Sequence, residues 1–123
     1  MTHNILIIDD NPDDIFLFTT WLRNQSEDYI FKEVHNIADV PAALSSFSPD
    51  CILLDGFLLD GDCFDLLRDI RYLMSNPAPI IVISAYESKP FAEDAKVLGA
   101  HEFCNKNDLD AQSLHLTIQR ILA

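Results

Sequence analysis

The fold is decided by one stretch near the start of the chain, Ile5-Leu6-Ile7-Ile8-Asp9-Asp10. Four consecutive apolar residues, three of them β-branched, are typical of a short strand that is buried on both faces. The two carboxylates follow where this strand ends, at the edge of an open α/β sheet where ligands bind. Two unit charges ~4 Å apart repel each other by about 4 kcal/mol at an effective dielectric constant of ~20. The stretch therefore predicts a cation or a lysine beside the end of a buried strand.

The same design recurs further along the chain. Cys51-Ile52-Leu53-Leu54-Asp55 is again an apolar run that ends in an acid, and Ile80-Ile81-Val82-Ile83-Ser84 is the most strongly apolar strand candidate. A weaker strand is predicted over 29–34 from alternating, β-forming residues, and a fifth strand is predicted over 101–105. The chain therefore contains five predicted strands.

Helices are predicted between these strands from apolar residues three or four positions apart and from capping residues. The first begins at Asn11, which can cap, and Pro12, which fits the first helical position, and it ends near residue 25. The others are predicted over 38–47, 64–74, 88 or 89 to 98, and from a cap at Asp108 through residue 122. Strand and helix thus alternate five times, which predicts an α/β fold with a doubly wound, five-stranded parallel sheet and helices on both faces.

The composition is that of one ordinary globular domain. The 123 residues, 49% hydrophobic and 23% charged, suit a single domain with one core. The formal net charge of −12 argues against direct binding to nucleic acid or to an anionic membrane. No apolar run reaches membrane-spanning length, and the N-terminus lacks a secretory signal pattern. The three cysteines form no metal or disulfide pattern, so we expect a reducing, cytoplasmic location.

Parallel strands bring their carboxyl ends to one edge of the sheet, so Asp9, Asp10, Asp55 and Ser84 should converge there, with Lys106 after the fifth strand. Hard oxygen ligands suit Mg²⁺, and three carboxylates, one lysine and one divalent ion sum to zero charge. A carboxylate nucleophile can accept a phosphoryl group as an aspartyl phosphate. Metal and lysine would then offset the charge on the transferring group.

At these residues the chain resembles the receiver domains of two-component response regulators, the CheY-like family. The resemblance covers essentially the whole chain, 1–123, and implies the family's (βα)5, flavodoxin-like fold. Each short motif is weak alone, but together and in this order they are highly specific. They are Ile7-Ile8-Asp9-Asp10, Leu53-Leu54-Asp55, Ile83-Ser84-Ala85, and Gly99-Ala100-His101-Glu102-Phe103 followed by Lys106.

The resemblance implies a phosphoacceptor with a metal ion beside it. Asp55 would take a phosphoryl group from a histidine kinase or a histidine phosphotransfer protein. Asp10 would bind Mg²⁺ directly and Asp9 directly or through water, while Asp55 and the backbone carbonyl of Phe57 would complete the protein ligands. Such a chain is not an enzyme, beyond self-catalysed phosphotransfer and autodephosphorylation.

The resemblance also implies a switch. Ser84 is similar to the family's switch hydroxyl, Lys106 to its phosphate-pairing lysine and Phe103 to its switch aromatic. On phosphorylation Ser84 would move toward the phosphoryl group and Phe103 would turn inward. These movements shift a pre-existing equilibrium of the face made by the fourth helix, the fifth strand and the fifth helix. The downstream effector is not identified, and Phe16 and Trp21 on the first helix are candidates for a kinase contact or a phosphorylation-linked dimer.

Several positions depart from the family pattern. Leu59 stands where many members have proline, a change that by itself supplies no chemistry. Asn107 follows Lys106 where a proline with a cis peptide is usual; a cis bond before a non-proline costs roughly 3 kcal/mol, so we predict a trans peptide. Phe57 and Tyr86, each two residues beyond a predicted site residue, should screen water and slow the loss of the phosphoryl group.

Other interpretations of the same residues remain open. One is a phosphorylation-independent interaction module on this fold, and another is an Mg²⁺-dependent phosphatase with an Asp nucleophile. Such phosphatases usually carry a second Asp two residues on, where this chain has Phe57, and a larger cap segment. A flavin-binding protein fits poorly, because no Ser/Thr/Gly-rich phosphate loop follows the first strand.

Four further acids are expected to be helix caps and solvated loop charges. Asp60 or Asp62 is expected to cap the third helix, and the other two acids are Asp13 and Asp14.

Overall fold

The strands form one parallel sheet in a computed structural model that describes residues 2–75, 77–86 and 88–123. Their spatial order is β2-β1-β3-β4-β5, and every neighbouring pair is parallel. The order reverses between β1 and β3, and ligands bind at such a switch point in open α/β sheets. The strands are β1 (His3–Ile8), β2 (Tyr29–Val34), β3 (Cys51–Asp55), β4 (Ile80–Ser84) and β5 (Glu102–Asn105).

Helices cover both faces of this sheet, so the predicted fold class is confirmed. Ile5 and Ile7 of β1 belong to an apolar cluster with α1 and α5, whereas Leu6 and Ile8 belong to one with α2, α3 and α4. None of the helices in the described ranges is long and apolar enough to cross a membrane. The helices are α1 (Pro12–Gln25), α2 (Val40–Ser46), α3 (Cys63–Leu73), α4 (Lys89–Val97) and α5 (Ala111–Leu122).

The ends of three helices agree with their predicted caps. The Asn11 side chain accepts a hydrogen bond from the Asp13 backbone N–H at 2.9 Å and opens α1. Asp62 caps α3 by accepting from the Phe64 N–H at 3.0 Å. Gly99 follows α4 at a φ of +123°, a conformation that glycine adopts without a steric cost.

Two other helix starts were predicted wrongly. Asp110, not Asp108, caps α5: its carboxylate accepts from the Ser113 N–H at 2.8 Å, and the Ser113 hydroxyl accepts from the Asp110 N–H at 3.0 Å. This reciprocal pair satisfies two otherwise unpaired donors, and Asp108 lies in a preceding 3₁₀ turn. The second helix is shorter than 38–47 because the chain first makes a 3₁₀ turn, Ile37–Asp39, capped by the Asn36 side chain.

The loop after β3 contains structure that the sequence did not indicate. A two-residue strand, Phe57–Leu58, pairs antiparallel with Gly61–Asp62. Asp60 lies at the turn and accepts a hydrogen bond from the Ile37 N–H at 2.9 Å, which ties the hairpin to the start of the second helical segment. This hairpin places the loop beside the carboxyl edge of the sheet.

Candidate functional site

Three carboxylates converge at the carboxyl edge of the sheet. Asp9 and Asp10 follow β1, Asp55 ends β3, and the two strands are neighbours with Ile8 opposite Leu54. One oxygen from each carboxylate lies within 4.8 Å of the other two. Asp9 and Asp55 are buried and Asp10 is half-buried. Three hard oxygen donors this close together are compatible with Mg²⁺.

A backbone N–H orients each carboxylate. Asp9 accepts from the Asn11 N–H at 2.9 Å and Asp55 from the Phe57 N–H at 3.2 Å. Asp10 accepts from the Leu59 N–H at 2.6 Å, across the sheet edge from the hairpin loop.

Leu59 therefore has a role that the sequence did not predict, since it supplies a donor to a candidate metal ligand. Its side chain is 95% exposed, so the contribution comes from the backbone alone. A proline at this position would have no N–H to donate.

Burial disfavours the charged forms of Asp9 and Asp55 when no cation is bound to them. Burial raises the pKa of Asp9 from its ordinary value of 3.8 to about 7, against the opposing effect of the Asn11 N–H. Burial also raises the pKa of Asp55, although the nearby Lys106 ammonium opposes the shift. Asp55 and Asp14 also raise the pKa of Asp9, and Asp10 raises the pKa of Asp55, whereas the Asp9 side chain lowers it. A bound cation would relieve this cost by favouring the charged carboxylates.

Lys106 is the cation that the fold brings to the cluster. Its Nζ lies 3.5 Å from an oxygen of Asp55, 3.7 Å from one of Asp9 and 2.6 Å from one of Asp14. Burial alone would lower the pKa of Lys106, but these carboxylates raise it above its ordinary value. The Lys106–Asn107 peptide bond is trans, as predicted.

Asp14 was interpreted wrongly from the sequence as a cap or a solvated charge. Its side chain is 24% exposed and forms the shortest contact of Lys106, a residue 92 positions away. Its place in the first turn of α1, four residues after Asp10, is the one signal that could have suggested a site residue.

Ser84 ends β4 beside this cluster. The residue is 1% exposed, and its Oγ accepts a hydrogen bond from the Tyr86 N–H at 3.0 Å. Gly56 allows the serine to approach β3 closely, because a Cβ at that position would stand 2.9 Å from the Ser84 Cβ and 3.0 Å from its Oγ. A side chain at residue 56 would therefore displace Ser84.

Phe103 belongs to an aromatic cluster that sequence reasoning missed. The cluster is centred on Phe91 of α4, which is 8% exposed. Phe103 is half-buried and meets Phe91 edge-on, with ring centroids 5.5 Å apart. Phe57 stacks on Phe91 at 5.0 Å, and Tyr86 packs edge-on against it at 5.6 Å. The loops after β3 and β4 are thus connected to β5 through one buried ring.

A doubly wound parallel sheet with an acidic, lysine-containing site at its switch point defines the class of this protein. A model of the response regulator receiver domain matches residues 5–119, and the chain belongs to that family. It is a receiver domain of two-component systems. Proteins of this kind are generally phosphoacceptors rather than enzymes, and they interact with histidine kinases or phosphotransfer proteins.

Solved structures share the fold. A two-component response regulator from Clostridium difficile is 24% identical, with a TM-score of 0.88 over 99% of this chain and 96% of that one. A signal receiver domain from Bermanella marisrubri is also 24% identical, with a TM-score of 0.88 over 100% of both chains. A CheY-like receiver domain protein from Methanospirillum hungatei JF-1 is 20% identical, with a TM-score of 0.87 over 99% of this chain and 94% of that one. None of the curated proteins matches the chain.

Proposed function

We propose that residues 1–123 make up one receiver domain that accepts a phosphoryl group on Asp55 from a histidine kinase or a histidine phosphotransfer protein. One observation carries the proposal: the oxygens of Asp9, Asp10 and Asp55 lie within 4.8 Å of one another, and the Lys106 Nζ lies 3.5 Å from Asp55. A buried carboxylate with metal-compatible neighbours and an ammonium beside it is suited to become an aspartyl phosphate.

The transfer is a displacement at phosphorus. A carboxylate oxygen of Asp55 forms the new P–O bond as the P–N bond of the phosphohistidine breaks, and the imidazole nitrogen leaves with the electron pair. The Lys106 ammonium offsets negative charge on the transferring group, and the Ser84 hydroxyl donates a hydrogen bond to a phosphoryl oxygen. Asp10, Asp55, the backbone carbonyl of Phe57 and, directly or through water, Asp9 would hold Mg²⁺, which when bound would offset further negative charge.

The proposed output is a shift of the face formed by α4, β5 and α5. Movement of Ser84 toward the phosphoryl group gives up its hydrogen bond with the Tyr86 N–H and frees the loop after β4. Phe103 then turns further inward from its edge-on contact with Phe91. An open cavity of about 350 Å³ lies on this face and is lined in part by Lys89, Ala92 and Phe103. The downstream effector would bind the changed face.

Incubation with acetyl phosphate and Mg²⁺ tests the proposal. Intact-mass spectrometry is expected to show the addition of one phosphoryl group, which peptide mapping assigns to Asp55 and hydroxylamine removes, as it does from acyl phosphates. Chelation of Mg²⁺ with EDTA should suppress the addition. No addition from either acetyl phosphate or a phosphorylated phosphotransfer protein would contradict the proposal and favour the interaction module. Continuous turnover of a phosphate ester would favour the phosphatase.

The replacement of Phe57 and Tyr86 together by alanine is expected to shorten the lifetime of the phosphoryl group. The two rings pack edge-on with centroids 5.5 Å apart, two residues beyond Asp55 and Ser84, and both are about half exposed. Their loss opens the end of the sheet to water, so hydrolysis should accelerate, by roughly threefold to tenfold. The decay of the phosphorylated mass after removal of acetyl phosphate measures the lifetime.

Tyr72→Ala is the control for this pair, because Tyr72 is a 92% exposed aromatic on α3. Its phosphoryl lifetime should equal that of the wild type. An unchanged lifetime in the double variant would show that the two rings do not limit the access of water.

A further inference from the structure

We propose that Asp14 is a positioning residue that binds Lys106 in the unphosphorylated protein and competes with the phosphoryl group for the lysine. The inference rests on the proposed role of Asp55 as the phosphoacceptor. It goes further by adding a fourth carboxylate, from the first turn of α1, that controls how available the ammonium is.

The distances at Lys106 are unequal. Its Nζ lies 2.6 Å from the Asp14 carboxylate, which is a charge-assisted hydrogen bond, but 3.5 Å from Asp55 and 3.7 Å from Asp9, which are ion pairs without a hydrogen bond. The side chains of Lys106 and Asp14 are only 18% and 24% exposed, so water screens the contact less than it would at the surface. In the resting protein the lysine is therefore hydrogen-bonded to Asp14 and only ion-paired with the phosphoacceptor.

The charge balance makes this competition consequential. Asp9, Asp10, Asp55 and Lys106 together carry −2, which one divalent ion neutralises, and Asp14 leaves a further −1 uncompensated. The phosphoryl group brings additional negative charge to the same place. Within the part of the chain that the structure describes, no other lysine or arginine pairs with these carboxylates, so the phosphoryl group must share the Lys106 ammonium with Asp14.

The flexible stem of Lys106 allows two positions of its ammonium, one on Asp14 and one on Asp55. The second offsets charge on the transferring phosphoryl group more strongly, because the ammonium is closer to it. The apparent reactivity of Asp55 is then reduced by the fraction of molecules in which the lysine is held by Asp14. Weakening the Lys106–Asp14 bond should raise the rate of phosphorylation.

Asp14→Asn tests the proposal in the full chain, because it removes the charge but preserves the shape of the side chain. The time course of phosphorylation by acetyl phosphate at fixed Mg²⁺, followed by intact mass, is expected to show a rate about twofold to fivefold above that of the wild type. Asp14→Glu restores the carboxylate and should return the rate toward the wild-type value. Asp13→Asn removes the same charge from an exposed neighbour in the same helical turn and should have no effect.

A double-mutant cycle separates positioning from simple repulsion. In a Lys106→Met background the rate is lower overall, and Asp14→Asn should no longer change it, since Asp14 acts through the lysine. A rise of the same size in that background, or no rise in Asp14→Asn itself, would overturn the inference while leaving the proposed function intact. No phosphate uptake by the wild type would overturn both. A thermal melt of each variant verifies that rate changes do not come from unfolding. Asp14→Ala serves as a second substitution that removes the carboxylate.

Discussion

Asp55→Asn is expected to abolish phosphoryl uptake from acetyl phosphate while the protein remains folded. The asparagine amide has the shape of the carboxylate but no anionic oxygen to attack phosphorus, so the loss should be about a thousandfold or more. The fold should tolerate the change, because burial already disfavours the charged form of Asp55 and the amide oxygen still accepts from the Phe57 N–H. Intact-mass spectrometry measures the uptake, and circular dichroism and a thermal melt measure the fold.

Asp13→Asn is the matched control for this experiment. Asp13 is an exposed carboxylate near the site whose side chain does not contact Asp55 or Lys106, so its variant should take up phosphate like the wild type. Uptake by Asp55→Asn at the wild-type rate would contradict the proposal and would assign the acceptor to another residue. Uptake lost equally in both variants would point to damage of the fold rather than to the loss of a nucleophile.

The strands were the most predictable part of this fold. The bounds predicted for β2, β3 and β4 are those in the structure. Strands β3 and β4 are buried along their whole length, which selects apolar residues up to a polar end, whereas β2 is a half-exposed edge strand marked by alternating, β-forming residues. Helix starts were less predictable, since several neighbouring residues can cap. Asp108 and Asp110 are both suitable caps in sequence, and only the reciprocal bonds with Ser113 select the second.

The convergence of Asp9, Asp10 and Asp55 was predictable for a different reason. Parallel topology carries every strand end to one edge, so the register of β1 and β3 is enough to bring the carboxylates together. The contacts from loops and helices were not predictable in this way. The Leu59 N–H and the Asp14 carboxylate reach the site because of the hairpin after β3 and the direction of one side chain on α1, and neither leaves a periodic signal in the sequence.

The metal-free protein is expected to lose stability as the pH rises from about 4 to about 7. The pKa of Asp9 is about 7 in the folded protein, and its ordinary value of 3.8 applies in the unfolded chain. Between these two values the folded state keeps a proton that the unfolded state has released, so the free energy of unfolding falls with rising pH. A shift of about three pKa units corresponds to a loss on the order of 2–4 kcal/mol, and the raised pKa of Asp55 acts in the same direction.

Urea unfolding in EDTA between about pH 4.5 and pH 8 measures this dependence in the wild type and in Asp9→Asn. The asparagine does not titrate but can still accept from the Asn11 N–H, so the variant should be the more stable protein near pH 8, and its advantage should shrink toward pH 4.5. The four histidines titrate in the same window, and the difference between the two proteins removes their contribution. Saturating Mg²⁺ should restore the free energy of unfolding of the wild type above about pH 7. It should stabilise the protein less at low pH, because a proton must leave Asp9 before a cation can bind. If the free energies of unfolding of the two proteins in EDTA changed in parallel with pH, the pKa of Asp9 would not be raised by burial in the cluster.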